Sequence, residues 1–316
     1  MRRAFLFPGQ GSQAVGMGRD LALASPAARA VFEEVDEALG ERLSRLMFEG
    51  PDQELTLTAN AQPAIMAASI AVLRVLEAEA GVRVASHAAF VAGHSLGEYS
   101  ALCAAGALPL AATARLLRLR GQAMQAAVPP GEGAMAALIA IPWETVVEVA
   151  AEAQAASPGQ VCAAANDNAP GQVVVSGHLD AVRRAINLAK TRGARHAVLL
   201  PVSAPFHCPL MAPAAEAMAR ALADAPLAAP VVPLVANVTA RPTADPEAIR
   251  AQLVEQVTAM VRWRESVAWM AGEGEVGEFV ELGGKVVAPM VKRIAPETGQ
   301  LSLTTMEEIE AWLKTL

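Results

Sequence analysis

Residues 90–101 read Phe90-Val91-Ala92-Gly93-His94-Ser95-Leu96-Gly97-Glu98-Tyr99-Ser100-Ala101. A short apolar run, a Gly-x-Ser-x-Gly pentapeptide and a helix-forming run follow one another. This is a strand, a sharp turn and a helix: the nucleophile elbow of α/β proteins, in the context it requires. The glycines serve where strand and helix backbones close on each other, and the serine between them is held in a strained conformation. Its hydroxyl then stands at a helix N-terminus, whose dipole favours developing negative charge. A glycine-rich turn with an incidental serine gives the same five letters, so the rest of the chain has to decide.

Outward from the elbow, strands and helices alternate. Ala4 to Phe7 reads as a short buried strand running into Pro8-Gly9-Gln10-Gly11. Helices are predicted over Pro26 to Leu39, Ala64 to Glu79, Leu96 to Ala105 and Leu110 to Ala127, the last ended by Pro129-Pro130-Gly131. The pattern predicts an α/β-hydrolase-like domain with a mostly parallel sheet covered by helices. From 128 to 201 the order changes. Strands are predicted at Ala134 to Ile141, Val161 to Ala165, Gln172 to Ser176 and Arg195 to Leu200, with helices at Trp143 to Ala155 and Leu179 to Thr191. Asn166 to Gly171 reads as a turn-rich loop. The order βαββαβ is ferredoxin-like. It predicts a small subdomain, 128–201, inserted into a large domain made of 1–127 and 202–316.

Composition removes other classes. The chain has 316 residues, 53% of them hydrophobic and 18% charged, the reverse of a disordered chain. Net charge is −7 with no block of Lys or Arg, so a nucleic-acid partner is not expected. Mean hydropathy is +0.33, which raises the question of a membrane. The uncharged run Leu55 to Leu73 holds Asn60, Gln62, Pro63 and two threonines, too polar and broken for a span. Met1-Arg2-Arg3 precedes a first strand better than an export signal. Cys103, Cys162 and Cys208 are odd in number and widely spaced, which suits a reducing cytoplasm and matches no metal motif. A soluble cytoplasmic monomer is expected.

A serine nucleophile needs a base. Of five histidines, His94 is the variable residue of the elbow and is expected to point away from Ser95; His87, His178 and His196 read as surface or structural. His207 lies in Ser203-Ala204-Pro205-Phe206-His207-Cys208-Pro209, a loop stiffened by proline on both sides. It is the candidate base. Cys208 is an alternative nucleophile but has no separate base. Asp167 and Asp180 fall between Ser95 and His207 in the order of a hydrolase triad, yet neither takes an obvious strand-end position. A backbone carbonyl or an amide orienting the histidine fits at least as well. Arg120 has Leu116, Leu117, Ala123 and Met124 three and four residues away, which places it on the core face of its helix. A buried arginine needs an anion: a structural carboxylate, or a substrate carboxylate gripped by two hydrogen bonds.

Taken in order, Phe7-Pro8-Gly9-Gln10-Gly11-Ser12-Gln13, Gln62-Pro63-Ala64, the elbow from Gly93 to Ala101, Arg120-Gly121 and His207 in its proline loop resemble the malonyl-CoA:acyl carrier protein transacylases of bacterial fatty-acid synthesis. The resemblance runs from residue 5 to about 294. It implies that Ser95 carries the malonyl group as an ester, that His207 is base and then acid, and that the backbone N–H groups of Gln10 and Leu96 form the oxyanion hole. It implies that Arg120 holds the malonyl carboxylate and that Gln256 helps to orient His207. It implies no metal or redox cofactor, only malonyl-CoA and phosphopantetheinylated carrier protein as substrates. Phe206 beside the histidine implies malonyl over methylmalonyl. An acidic carrier would seek bases, for which Lys190, Arg192, Arg195, Lys285, Lys292 and Arg293 are candidates.

Two segments depart from the family pattern. Glu281-Leu282-Gly283-Gly284-Lys285 lacks a proline and is one residue short, and Ala259-Met260 replaces Asn-Pro before Val261-Arg262-Trp263. Rival readings are a dinucleotide site at Gly9-x-Gly11-x-x-Ala14, a serine thioesterase or hydrolase, a non-catalytic carrier-docking module, and the malonyl-transfer subunit of a malonate decarboxylase. The first is disfavoured because Glu33, Glu34 and Asp36 fall in a helix instead of at a strand end.

Overall fold

The computed structural model describes residues 1–202 and 204–316. Ser203, the first residue of the proline loop, lies outside the described residues. The described residues form ten strands: β1 Arg3–Phe7, β2 Phe90–Gly93, β3 Gly133–Ile139, β4 Cys162–Ala169, β5 Gln172–His178, β6 His196–Leu199, β7 Leu234–Val235, β8 Pro242–Thr243, β9 Glu278–Leu282 and β10 Gly299–Leu303. They form a six-stranded sheet, β10-β9-β1-β2-β7-β8, and a four-stranded sheet, β4-β5-β3-β6.

The large sheet is parallel from β10 to β7, with β8 antiparallel at one edge. Along β1, Phe5 and Phe7 enter one hydrophobic core and Ala4 and Leu6 the other, and all four are fully buried. A parallel strand covered on both faces needs no polar alternation, which is why this run reads as continuously apolar. Because β1, β2, β7 and β9 run the same way, the segments after them emerge at one edge: Pro8–Gly11, Gly93–Ser95, Ala236–Asn237 and Gly283–Gly284. Ligand sites of open α/β sheets lie at such carboxyl ends.

The small sheet is antiparallel, and its order is the ferredoxin-like one. With the helices Trp143–Ala155 and Leu179–Thr191 it encloses a core of its own around Leu138, Val149, Val175 and Ile186. One expectation fails here. Asn166 to Gly171 is not a turn-rich loop: β4 runs on to Ala169, and only Pro170 and Gly171 turn. The polar Asn166-Asp167-Asn168 run reads as turn chemistry, but two register shifts carry it through as a bulged strand. Its polar groups look outward from the subdomain. Asn166 bridges to Val261, and Asp167 holds Arg264, so this strand joins the two units.

A second difference concerns the helix expected from Ala64. It begins at Thr58 and runs to Ala80 with Pro63 inside it. Gln62 and Pro63 look like a helix breaker by sequence, yet Gln62 is buried and receives a bond from Arg120. This helix is long and apolar enough to cross a membrane, but 83% of its most apolar window is buried in the protein. The Leu110–Ala126 helix packs on it at Gly121, where a Cβ would stand 2.6 Å from both the Ala59 Cα and the Thr58 carbonyl oxygen. The missing side chain lets the backbones approach and brings the neighbouring Arg120 over Gln62.

Candidate active site

The elbow follows from two glycines that face each other. A Cβ on Gly93 would lie 1.8 Å from the Gly97 carbonyl carbon, and one on Gly97 would lie 2.3 Å from the Phe7 carbonyl oxygen. No side chain fits at either position. Between them Ser95 has a φ of 54°, in the left-handed region that a non-glycine residue enters only under constraint. The constraint is visible: the Ser95 N–H donates to Asn237 Oδ1 at 2.9 Å, and its carbonyl accepts from Gln256 Nε2 at 2.9 Å.

Ser95 Oγ lies 2.7 Å from His207 Nε2. His207 also has a positive φ, 56°. Its loop is braced by Gly133, whose absent Cβ leaves room for the Pro205 ring. The other ring nitrogen, Nδ1, is 2.8 Å from the main-chain oxygen of Gln256. A carbonyl only accepts, so Nδ1 carries the proton and Nε2 is bare towards the serine. Gln256 is the last residue of the Pro246–Gln256 helix, whose final carbonyls lack intrahelical partners and carry the negative end of its dipole. A helix C-terminus therefore stands where a hydrolase triad places an acid. Asp167 is spent on Arg264, and Asp180 sits on the subdomain helix near Arg183.

Burial, and then the charge of Arg120, drive the His207 pKa down to about 3, so the ring is neutral and able to accept a proton. The unfolded chain holds that proton up to about pH 6.5. Between these values the unfolded state binds more protons, so the His207 contribution to stability is full above about pH 6.5 and is lost as pH falls towards 3. His207→Gln should accordingly lose less stability than the wild type between pH 7 and pH 4 in urea titrations. Equal losses would contradict a buried neutral ring.

Arg120 is 1% exposed. Nη1 donates to Gln62 Oε1 at 2.9 Å, and Nη2 donates to Gln256 Oε1 at 2.8 Å and to Ser95 Oγ at 3.2 Å. Its Nε has no hydrogen-bond partner among the described residues. The cation thus rests on neutral amides and the serine itself, with no carboxylate paired directly to it. A cavity of about 340 Å³ opens over this group, and Gln10, His94, Ser95, Arg120, Asn168 and Phe206 are among its walls. The backbone N–H groups of Gln10 and Leu96 donate to no other group among the described residues.

His94, expected to point away from Ser95, turns its ring to Asn168 instead of to the serine. The tight turn keeps it on the cavity wall, with Nε2 2.7 Å from Asn168 Oδ1 and its ring edge-on to Trp263. Burial lowers its pKa. Cys208 is buried and its Sγ donates to the Pro205 carbonyl at 3.2 Å; burial raises its pKa, the opposite of a thiolate nucleophile. The short loop Gly283–Gly284 packs against Ser69 and Pro8, and Val286 and Met290 beyond it line the cavity. Buried Glu281 replaces the expected rigidity of proline there, accepting from the N–H groups of Val286, Val287 and Ala288. Asn237 and Glu98 were not singled out by sequence. Asn237 sits in an unremarkable Ala-Asn-Val run, and Glu98 reads as a first-turn helix acid.

Residues 4–289 match the acyl transferase domain family. The chain belongs to that family. Relatives cover its whole length. The malonyl CoA-acyl carrier protein transacylase of Bacillus subtilis (strain 168) is 44% identical over 314 residues, 99% of this chain and 96% of the relative. The acyl-carrier-protein-S-malonyltransferase of Bartonella henselae is 53% identical, with a TM-score of 0.96 over 100% of this chain and 99% of that one. A malonyl-transacylase solved in complex with a type II polyketide acyl-carrier protein is 39% identical, with a TM-score of 0.95 over 100% of both chains. In this acyl transferase the sheet, the elbow and the inserted ferredoxin-like unit are therefore family architecture.

Proposed function

We propose that this chain transfers the malonyl group of malonyl-CoA to the phosphopantetheine thiol of an acyl carrier protein, through an ester on Ser95, in fatty-acid synthesis. The observation that carries the reading is Arg120: a buried guanidinium 3.2 Å from the nucleophilic oxygen and without a carboxylate paired directly to it. Malonate places its free carboxylate two bonds from the carbonyl carbon under attack. A charge anchor for so short a diacid has to stand beside the nucleophile, and here it does.

Ser95 Oγ attacks the thioester carbon while His207 Nε2 takes its proton. Negative charge develops on the carbonyl oxygen, for which the N–H groups of Gln10 and Leu96 are the donors. The carbon–sulfur bond breaks, and CoA leaves with the proton from Nε2. The carrier thiol then gives its proton to Nε2 and attacks the ester, and Oγ recovers the proton as its bond to carbon breaks. Gln256 holds the ring in place through both steps. No oxidation state changes and the thioester is already activated, so the scheme uses no metal or redox cofactor. Phe206, on the cavity wall, leaves less space for an α-methyl branch.

In this reading the units 1–127 with 202–316 and 128–201 enclose the substrate, and the protein works as a cytoplasmic monomer. The carrier docks on surface bases, but the six candidates are not equal. Arg192 pairs with Glu148 and Glu152, Lys285 with Glu308, and Arg293 binds Gln172 and the Pro170 carbonyl. Lys190, Arg195 and Lys292 make no ion pair among the described residues and are the better anchors for an acidic partner. Arg195→Glu should slow malonyl transfer to carrier protein several-fold, more at low salt, and leave Ser95 acylation unchanged. An unchanged transfer rate would remove Arg195 from the interface. Intact-mass measurement after malonyl-CoA, then after carrier protein, tests the whole scheme: an adduct must form and then be discharged onto the carrier.

A further inference from the structure

Glu98 follows directly on the second glycine of the elbow, is 1% exposed, and has no part in the scheme above. A first-turn acid commonly sits in solvent at the positive end of its helix. This one is turned inward, where a carboxyl group is costly to keep. Burial raises its pKa to about 8 although the bonds from Asn237 and Gln256 and the charge of Arg120 act the other way. Such a group persists only where its bonds are used.

Both oxygens are engaged. Oε1 accepts from the Asn237 N–H at 2.6 Å, and Oε2 accepts from Gln256 Nε2 in a short bond. These two partners are the residues that grip the Ser95 turn. Asn237 accepts from the Ser95 N–H, and its Nδ2 donates to the Gly93 carbonyl at 2.8 Å. Gln256 Nε2 donates to the Ser95 carbonyl. The remaining groups of Gln256 meet the rest of the site: Oε1 accepts from Arg120, and the main-chain oxygen accepts from His207. One amide thus stands between the Glu98 carboxyl group and a guanidinium, its N–H end towards the acid and its C=O end towards the arginine. A flip of that amide would set Oε1 against Glu98 and Nε2 against Arg120, two repulsive contacts at once.

We propose that Glu98 is a positioning residue: it fixes the side chain of Gln256 in one orientation, and through Gln256 it holds the His207 ring and the Arg120 guanidinium in place beside Ser95. The inference rests on the roles of Ser95 and His207 proposed above. It gives this acid the orienting duty of a triad carboxylate, exercised through an amide and a helix terminus instead of by direct contact.

Single-turnover acylation of Ser95 by malonyl-CoA and by acetyl-CoA, followed by intact mass, tests it in the full chain. The set is wild type, Glu98→Gln, Glu98→Asp, Gln256→Ala and the Glu98→Gln/Gln256→Ala double variant, each with thermal unfolding. Glu98→Gln keeps the shape but offers one acceptor oxygen to two donors. Glu98→Asp keeps the carboxyl group but shortens the reach by one methylene. Each is expected to lose on the order of 10- to 100-fold in acylation rate, comparable to losing an outer hydrogen-bond partner at a metal site. Both CoA esters should be affected, because His207 serves both. The double variant should be no slower than Gln256→Ala alone, since the effect runs through that side chain. Rates of Glu98→Gln and Glu98→Asp within twofold of wild type overturn the proposal. So do losses that multiply in the double variant, or a loss of stability with full rate in the folded protein. If Glu98→Gln does not fold, Glu98→Asp decides by the same criterion. A wild type that forms no adduct overturns the proposed function itself, whatever Glu98 does.

Discussion

Ser95→Ala is expected to yield a folded protein that forms no malonyl adduct. The elbow places the residue at a φ of 54°, and serine and alanine tolerate that conformation about equally, so the substitution adds no new backbone strain. The bonds that hold the turn run through the main chain of residue 95 to Asn237 and Gln256, and alanine keeps them. What disappears is the oxygen 2.7 Å from His207 Nε2. Loss of a serine nucleophile that works as a unit with its base costs on the order of 10⁶-fold in turnover. Intact mass with malonyl-CoA should show the adduct in wild type and none in the variant, at matched thermal stability. The same experiment separates the enzymatic rivals. A transferase keeps its adduct until carrier protein arrives, and a thioesterase releases free malonate at once. An adduct of ordinary yield on Ser95→Ala would move the nucleophile elsewhere, although Cys208, the obvious substitute, is buried with its pKa raised.

The parts of this site that are local in sequence were legible there. Gly93 and Gly97 are four residues apart because strand and helix must touch within one turn, and no other residue type meets that demand. Arg120 was legible for a different reason: apolar neighbours at helical spacing place it inside, and a chain with few charges makes a charge on an apolar face conspicuous. The boundaries of the helices Trp143–Ala155 and Leu179–Thr191 follow from turn residues and periodicity. The failures share one cause. Asn166 to Asn168 and Gln62-Pro63 look like loop and breaker because polar residues and proline usually face water. Here they face another protein surface, and tertiary contacts overrule local preference. Asn237 lies 142 positions from the serine N–H it receives, and Gln256 lies 49 from the histidine it orients. No spacing rule carries across such separations. The family resemblance implies Gln256, while Asn237 and Glu98 come to the serine only through the folded chain.

Arg120→Ala should remove the preference for malonyl-CoA over acetyl-CoA while sparing the serine chemistry. In the wild type the guanidinium is held by Gln62 and Gln256, which orient it without neutralising it. An incoming carboxylate would meet a preorganised, buried cation, where a bidentate charge-assisted pair is strong. An acetyl group leaves that cation buried and unpaired, and a site built for a polar partner rejects the analogue that lacks it. Breaking a buried pair by removing one member costs about 3–5 kcal/mol, so kcat/KM for malonyl-CoA should fall by roughly a thousandfold. The acetyl-CoA rate should change far less, or rise, because the penalty of stranding the arginine is gone. A lysine at 120 should not restore selectivity: one ammonium cannot reach Gln62, Gln256 and a carboxylate together in the fork geometry that arginine has. The substitution has a second consequence. Arg120 helps to hold the His207 pKa down and also opposes the rise in the Glu98 pKa. Without it His207 binds its proton more readily and Glu98 ionises less readily, so the acid limb of the acetyl-CoA reaction should move to higher pH in Arg120→Ala. Competition between the two CoA esters at fixed pH measures the first effect, and the pH profile with acetyl-CoA measures the second. Discrimination equal to wild type would mean that Arg120 is a structural cation and that the malonyl carboxylate is bound elsewhere in the cavity.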